Sequence, residues 1–434
     1  MKRRKKLFLG VLSMVFVLGS SLVSSLAIAE EEVVLKIWDT AAPLRDPLRE
    51  IIFEKFESEN PGVKVEFEGI PWAQYMEKII TSIAAGTAPD VIRFGYAPRF
   101  ASKGMLIPLD EYIHGPDGVD LDEYINGAIN ASHIWDGKIY GLPHNLVPYG
   151  VFYNLDILEE NGASIPQTYE EFVDLAKKLT EKDEKGEFTK RGIQISSYAG
   201  GDVDYMLLFL FNQGAKDVLV YDHSVKEYTL NSPEALKGLT DLAELYKEGV
   251  VIFAENEQPF VTDYTAMWVT QSNDAFMFRP EVYPDFRFAF SLLPAPEGRE
   301  PVLAGVCRDS AFIPVTTNKK DLAWKLCKAY ASKEATALLY QGKYGTLPPF
   351  NDILDDPPAT PAYLPYQQDP FLRQLSSIVT SGKEMISPLQ HWHMDGEEIG
   401  NILGEELGFA VRGLKDSQQA LEDITKRIND ILQK

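Results

Sequence analysis

The run from Gly69 to Val91, GIPWAQYMEKIITSIAAGTAPDV, constrains the fold of this chain more than any other stretch. Just before it, Val63, Val65 and Phe67 alternate with Lys64, Glu66 and Glu68, a period of two that predicts a half-buried strand. Gly69 and Pro71 stop that strand. Tyr75, Ile79, Ile80 and Ile83 then recur at helical spacing, which leaves Gln74, Glu77, Lys78 and Ser82 for the wet face. Gly86 supplies a C-terminal stop, Pro89 follows, and Val91 and Ile92 re-enter a sheet. Strand, turn, helix and strand in that order make a βαβ element.

The same alternation extends along the chain. Val33 to Trp38 predicts a short first strand, and Pro43 to Glu59 a helix carrying Leu48, Ile51, Ile52 and Phe56 on one face. Strand and helix signals alternate to about Asn318, which places the protein in the α/β class with helix-covered sheets. Beyond Pro358 the balance shifts to helix. The last helix, Ser417 to Leu432, carries a stripe of Leu421, Ile424, Ile428 and Leu432, with Ser417 as the expected N-cap. Asp355 to Pro370 is the main irregular, proline-rich passage, and no internal repeat interrupts the pattern.

Lys2 to Lys6 precede a mainly apolar segment from Leu7 to Leu18, and Ala27-Ile28-Ala29 offers small residues for a signal peptidase. Residues 1–29 are therefore expected to be a signal peptide; the apolar segment is shorter than the ~20 residues a spanning helix needs. No cysteine lies near the cleavage point, so the expected mature protein is secreted, soluble and free of a lipid anchor. Removing the leader takes five basic residues from a chain of formal charge −22, making the mature protein more acidic still. Such a balance disfavours nucleic acid and anionic membranes as partners. Cys307 and Cys327 are too few for a disulfide scaffold; pairing and burial as free thiols both remain open for them.

Several linked motifs carry a family resemblance. G-x-P-W-x-x-Y-x-x-K followed by A-A-G-x-A-P-D-V, then Gly104 to Tyr112 (GMLIPLDEY), Asp136 to Pro143 (DGKIYGLP) and Tyr153-Asn154 before L-x-x-x-G-x-x-x-P-x-T-x-x-E-F, resemble the family 1 extracellular solute-binding proteins. These are the maltose-binding-protein-like receptors of bacterial ABC sugar importers. The resemblance implies a two-lobed periplasmic-binding-protein-like fold of type II, with three interlobe crossings and a ligand cleft between the lobes. It implies an N-lobe of residues 30–143 and 302–346 and a C-lobe of 144–301 and 347–434, the crossings falling at Pro143 to Asn145, around Pro294 to Pro301 and at Leu347 to Pro349. The implied function is capture of a carbohydrate (sugar, oligosaccharide or polyol) by hinge closure and delivery to an ABC permease, as a periplasmic or extracellular monomer.

The residues set the enzyme alternative, a secreted glycan-processing enzyme, on weaker ground. The sequence contains no G-x-S-x-G elbow, P-loop, H-E-x-x-H or C-x-x-C. His391, His393 and Asp395 form the nearest approach to a metal cluster, and no second cluster supports it, so neither metal nor cofactor is expected. A sugar receptor needs flat apolar faces for pyranose C–H groups and a few fixed polar groups for hydroxyls. Aromatics at strand ends, turns and crossings are the candidates for the first: Trp72, Phe94, Tyr96, Tyr198 and Trp392, the last preferred because polar neighbours flank it. For the second they are Asp39 and Thr40 after the first strand, Arg93 at another strand end, His144 and Asn145 at the first crossing, and Gly305, Arg308 and Asp309 at the second. Trp268 and Asn273 complete the set, in a segment whose Tyr264-Thr265 departs from the G-x-A-A-M that the resemblance leads one to expect.

Overall fold

The computed structural model describes residues 32–432 apart from 44, 96, 130–132, 198–201, 216–229, 308–309, 341–345, 353–368, 382, 384 and 387–395. In chain order the strands are β1 (Val33–Thr40), β2 (Val63–Ile70), β3 (Val91–Phe94), β4 (Ile134–Trp135), β5 (Lys138–Ile139), β6 (Val147–Asn154) and β7 (Glu181–Lys182). They continue with β8 (Phe188–Ser196), β9 (Val251–Ala254), β10 (Thr265–Gln271), β11 (Phe288–Ser291), β12 (Leu303–Val306), β13 (Ser310–Phe312) and β14 (Met385–Ile386). Two sheets organise the described chain. The first has the order β13-β3-β1-β2, the second β14-β12-β6-β10-β8-β7, with β11 joined to β6 and β9 to β8.

The Gly69–Val91 run forms as expected: β2 and β3 both lie parallel to β1, linked by the helix Trp72–Ala84 with Tyr75, Ile79 and Ile83 buried. Gly86 closes the helix at φ +71°, a conformation that penalises any Cβ. Asp90 of the A-P-D motif, buried itself, accepts from the Lys36 backbone at 2.9 Å, Thr317 Oγ1 at 2.6 Å and Lys319 Nζ at 3.0 Å, so it ties the start of β3 to a distant segment. Asp136 and Gly137, both at positive φ, turn β4 into β5, as a two-residue hairpin of primed type requires. Asn154 ends β6 and caps the next helix, accepting from the backbone of Asp156 and Ile157.

Three local expectations change. The helix after β1 runs Asp46–Glu59 and buries Arg49, Ile52, Phe53 and Phe56, whereas Ile51 points to solvent. Arg49 takes the inner position because it meets a buried carboxylate, described below, and hydropathy alone would not place it there. Ser82, expected on the wet face, is buried and its hydroxyl donates to the Ile79 carbonyl at 2.9 Å. The final helix Ser417–Leu432 is capped from Asp416, whose Oδ1 accepts from Gln418 N at 2.9 Å; the cap therefore sits one residue before Ser417.

Each sheet has a core on both faces. In the first, Leu35, Ile37 and Val91 pack under the helices Asp46–Glu59 and Lys320–Tyr330, while Ile92 and Phe94 pack with Tyr75, Ile79 and Phe100. In the second, Tyr149, Val151, Met267 and Val269 face the helices Asp202–Asn212, Pro233–Lys247, Gly396–Val411 and Ser417–Leu432; Phe152, Trp268 and Phe290 face the opposite side. Cys307 and Cys327 are buried free thiols in separate clusters, which settles the sequence ambiguity against pairing.

Passage between the sheets is made by strands that run side by side. Leu142 bridges Ala311, Val147 pairs with Val306 and Pro148 with Gly305, all in one antiparallel register. Leu146 and Leu347 exchange both backbone hydrogen bonds, at 2.7 and 2.9 Å, on the other side of the same strand. The chain is still in the second sheet at Leu303–Val306, past the Pro294 to Pro301 passage, and is in the first by Ser310–Phe312. Gly305 is required by this pairing: a Cβ there would stand 2.9 Å from the Val147 carbonyl oxygen.

Candidate functional site

The C-terminal ends of β1, β2 and β3 and those of β8 and β10 all lie on the side of their sheets where the chain crosses over, since β13 begins opposite Phe94 and β6 begins opposite Gln271. In open α/β sheets ligand groups collect outside such ends. The two rows of strand ends, one per lobe, border the crossings and define the candidate cleft.

On the first lobe the row carries an aromatic pair. Trp72 opens the helix after β2, and Phe94 ends β3; their rings stack with centroids 5.8 Å apart and planes 13° from parallel. Phe94 is a core residue at 4% exposure, edge-on to Phe100, while Trp72 leaves 66% of its surface in water. β1 lies between β2 and β3, so the pair spans the end of β1, where Thr40 is half-buried. A large ring held flat on a rigid partner with its other face wet is suited to the apolar side of a sugar ring.

The polar groups expected beside it are held elsewhere. Alternation along β1 and β3 puts Leu35, Ile37, Asp39, Val91 and Arg93 on one face, beneath two helices. There Asp39 Oδ2 meets Arg49 Nη2 at 2.5 Å and Arg93 Nη1 at 2.7 Å, and all three residues are almost wholly buried. Arg49 also donates from Nε to Tyr330 Oη at 3.1 Å and pairs with Asp46. Arg93 donates from Nε to His144 Nδ1 at 3.4 Å, and the His144 and Tyr330 rings lie 5.1 Å apart. Burial holds the Tyr330 phenol above its ordinary pKa. Asp39, Arg93 and His144 thus form a buried charge cluster at the base of the first crossing, and Asn145 beside them is buried too.

On the second lobe the strand-end row is polar. Tyr149 and Gln271 are register partners, and Tyr149 Oη donates to Asp204 Oδ2 at 3.1 Å in the first turn of the helix Asp202–Asn212. The Tyr149 ring packs tilted at 50° against Tyr205, centroids 5.3 Å apart. Gln271 Nε2 donates to Asp274 Oδ1 at 3.3 Å. Asn273, between them in the turn Ser272–Phe276, is half-buried, and its Oδ1 is buried without a hydrogen-bond partner. Burial raises the Asp202 carboxyl above the usual carboxylate range. Tyr149, Asp204, Tyr205 and Gln271 were not singled out from sequence; their signal was position, at the start of β6 and the ends of β8 and β10, which needs the strand order.

Trp268 is corrected to a core residue. It is fully buried among Phe152, Phe260 and Phe278, and its indole N–H donates to Ser196 Oγ at 2.8 Å. Parity explains this: Trp268 shares a sheet face with Phe152, opposite the face bearing Tyr149 and Gln271. Gly305 also belongs to strand pairing, as described above. Tyr96, Tyr198, Arg308, Asp309 and Trp392 lie outside the described residues, as do His391, His393 and Asp395. Among the described residues no group of His, Cys, Asp or Glu is arranged to hold a metal ion, and no helix is long and apolar enough to cross a membrane.

The family of bacterial extracellular solute-binding proteins matches residues 41–337 of the chain. A binding protein of Brucella abortus is 27% identical over 70% of this chain and 72% of its own length. The arabinooligosaccharide-binding protein of Halalkalibacterium halodurans is 24% identical over 68% of this chain and 66% of its own. Among solved structures, the sugar-binding protein MalE of Xanthomonas citri superposes with a TM-score of 0.74 over 92% of this chain and 98% of its own, at 21% identity, which is a likeness of fold.

Proposed function

From the premise that the chain belongs to the bacterial extracellular solute-binding protein family, we propose that it captures a carbohydrate between its two lobes and delivers it to an ABC permease. The family binds solutes rather than transforming them, so the protein is a receptor and not an enzyme. The observation that carries the carbohydrate reading is the Trp72–Phe94 stack, an exposed ring on a rigid aromatic support at the strand ends. The sugar-binding relatives agree with it. In this reading Trp72 takes the C–H face of a sugar ring, Thr40 lies at its edge, and the half-buried Asn273 meets a hydroxyl from the other lobe, beside the buried Tyr149, Asp204 and Gln271. A ligand O–H would give Asn273 Oδ1 the donor it lacks.

In this reading the lobes are built on the two sheets, residues 30–143 with about 310–346 in one and 144 to about 309 with 347–434 in the other. Ligand held by both stabilises the closed form. Moving the population from 1:99 to 99:1 takes about 5.5 kcal/mol of preference, which fits within the about 8.2 kcal/mol of a micromolar complex. In this reading the protein works as a monomer in the periplasm or outside the cell. A thermal-shift panel of sugars, oligosaccharides and polyols tests the proposal, because a ligand at 100 times its Kd adds about 2.7 kcal/mol. Stabilisation by amino acids or peptides and by no carbohydrate would reject it.

A further inference from the structure

Trp268 sits in the core, yet its one polar atom starts a chain of hydrogen bonds that ends in the turn bearing Asn273. The register of β8 beside β10 pairs Trp268 with Gln194 and Val269 with Ile195, so the next residues, Thr270 and Ser196, stand side by side near the ends of their strands. Alternation puts Thr270 on the Trp268 face of the sheet. Trp268 Nε1 donates to Ser196 Oγ at 2.8 Å, Ser196 Oγ lies 2.7 Å from Thr270 Oγ1, and Thr270 Oγ1 donates to Asp274 Oδ2. All four residues are buried. An indole N–H only donates and a carboxylate only accepts. Thr270 gives its single hydroxyl proton to Asp274, so it must accept from Ser196, whose own single proton is thereby placed. Every bond of the chain points from the indole to the carboxylate, and turning either hydroxyl breaks one.

We propose that Ser196 and Thr270 are positioning residues for ligand: through this one-way chain they fix the Asp274 carboxylate, and with it the turn Ser272–Phe276, so that Asn273 is held at the cleft. The start of the chain is rigid, because the Trp268 ring is enclosed by those of Phe152, Phe260 and Phe278, with centroids at 6.4, 5.8 and 6.0 Å. From the opposite face of β10, Gln271 Nε2 donates to Asp274 Oδ1 at 3.3 Å, so the carboxylate is tied to both sides of the strand end. Whatever else meets the carboxylate adds to this hold and leaves the direction of the chain unchanged. Asn273 needs a held turn, since its Oδ1 is buried without a donor and an unpaired buried acceptor favours swinging out to water. Bonds in such a chain polarise one another, so a break at Thr270 is felt at the indole. Apparent affinity scales with the fraction of empty protein whose turn is already in place. That last step rests on the receptor reading above; the chain and its hold on the turn do not.

The test uses ligand-free full-length mature protein. The indole proton resonance of Trp268, assigned by its loss in Trp268→Phe, reads the start of the chain, and amide hydrogen exchange over Ser272–Phe276 reads the turn. Thr270→Val keeps the shape and removes the hydroxyl, and Ser196→Ala breaks the chain one link earlier. Both should move the indole resonance upfield and speed exchange in the turn. Thr270→Ser restores the hydroxyl and should bring both back, whereas a packing role for Thr270 would favour Val over Ser. The sugar giving the largest shift in the thermal panel then serves as the probe in calorimetric titration, where a tenfold fall in the fraction with an ordered turn raises the apparent Kd about tenfold. Wild-type indole resonance and turn exchange in folded Thr270→Val and Ser196→Ala protein would overturn the chain. Unchanged affinity with a loosened turn would overturn the positioning role. A loosened turn in the variants, with no carbohydrate bound by wild type, would instead reject the proposed ligand.

Discussion

Replacing Trp72 by Ala separates a ligand platform from a packing residue. A Trp side chain offers roughly 200–250 Å², and 66% exposure leaves the larger part of it in water. A sugar ring covering about 75 Å² of that, at about 25 cal/mol per Å², contributes about 2 kcal/mol, or roughly thirtyfold in affinity. The covered third of the ring rests mainly on Phe94, and its loss costs the empty protein no more than about 1–2 kcal/mol by the same arithmetic. Phe94→Ala gives the reverse pattern, because at 4% exposure it supports Phe100 as well as Trp72, and about 3–5 kcal/mol is expected to go from the empty fold. Calorimetric titration with the sugar found in the panel, beside denaturant melts of empty protein, reads both quantities. Unchanged affinity in Trp72→Ala would remove this residue from the site, whatever happened to its stability.

Asp39→Asn should cost about 3–5 kcal/mol in the empty protein, since it removes the carboxylate that Arg49 and Arg93 share in a buried site; a ligand-contact role for Asp39 predicts a normal melt with weakened binding. His133 is fully buried against Ser310, and burial lowers its pKa from 6.5 to about 3. Between those values the unfolded chain binds the extra proton, so stability falls with decreasing pH by about 1.4 kcal/mol per unit from this group. Comparing wild type with His133→Asn between pH 6.5 and 5, above most carboxylate titration, should show the steeper slope in wild type, and equal slopes would refute the assignment. Cys307 and Cys327, with thiols pushed up by burial, should resist Ellman's reagent in the native state and both react in denaturant without reductant; rapid native reaction would contradict their burial.

The local structure was legible in the residues because its causes are local. Alternation in Val63 to Phe67, the helical spacing of Tyr75, Ile79 and Ile83 and the Gly86 stop each act over a few residues, and each formed. The motifs that suggested a family also turn out to be structural joints, as Asp90 at a segment junction and Asp136-Gly137 at a hairpin show. Strand parity is visible in sequence as well: Asp39 follows Leu35 and Ile37 at a spacing of two, and that spacing already directs it under the helices rather than to the cleft. What parity lacks is the identity of the neighbour across the sheet. Whether a charge at a strand end meets ligand or a partner such as Arg49 depends on which helix covers that face. Whether Trp268 or Trp72 is the wet one depends on what packs against each ring, and those neighbours come from segments far away in the chain. The candidate site, two rows of strand ends brought beside three crossings, exists only after non-local pairing such as Leu146 with Leu347 and Val147 with Val306 has folded the lobes together.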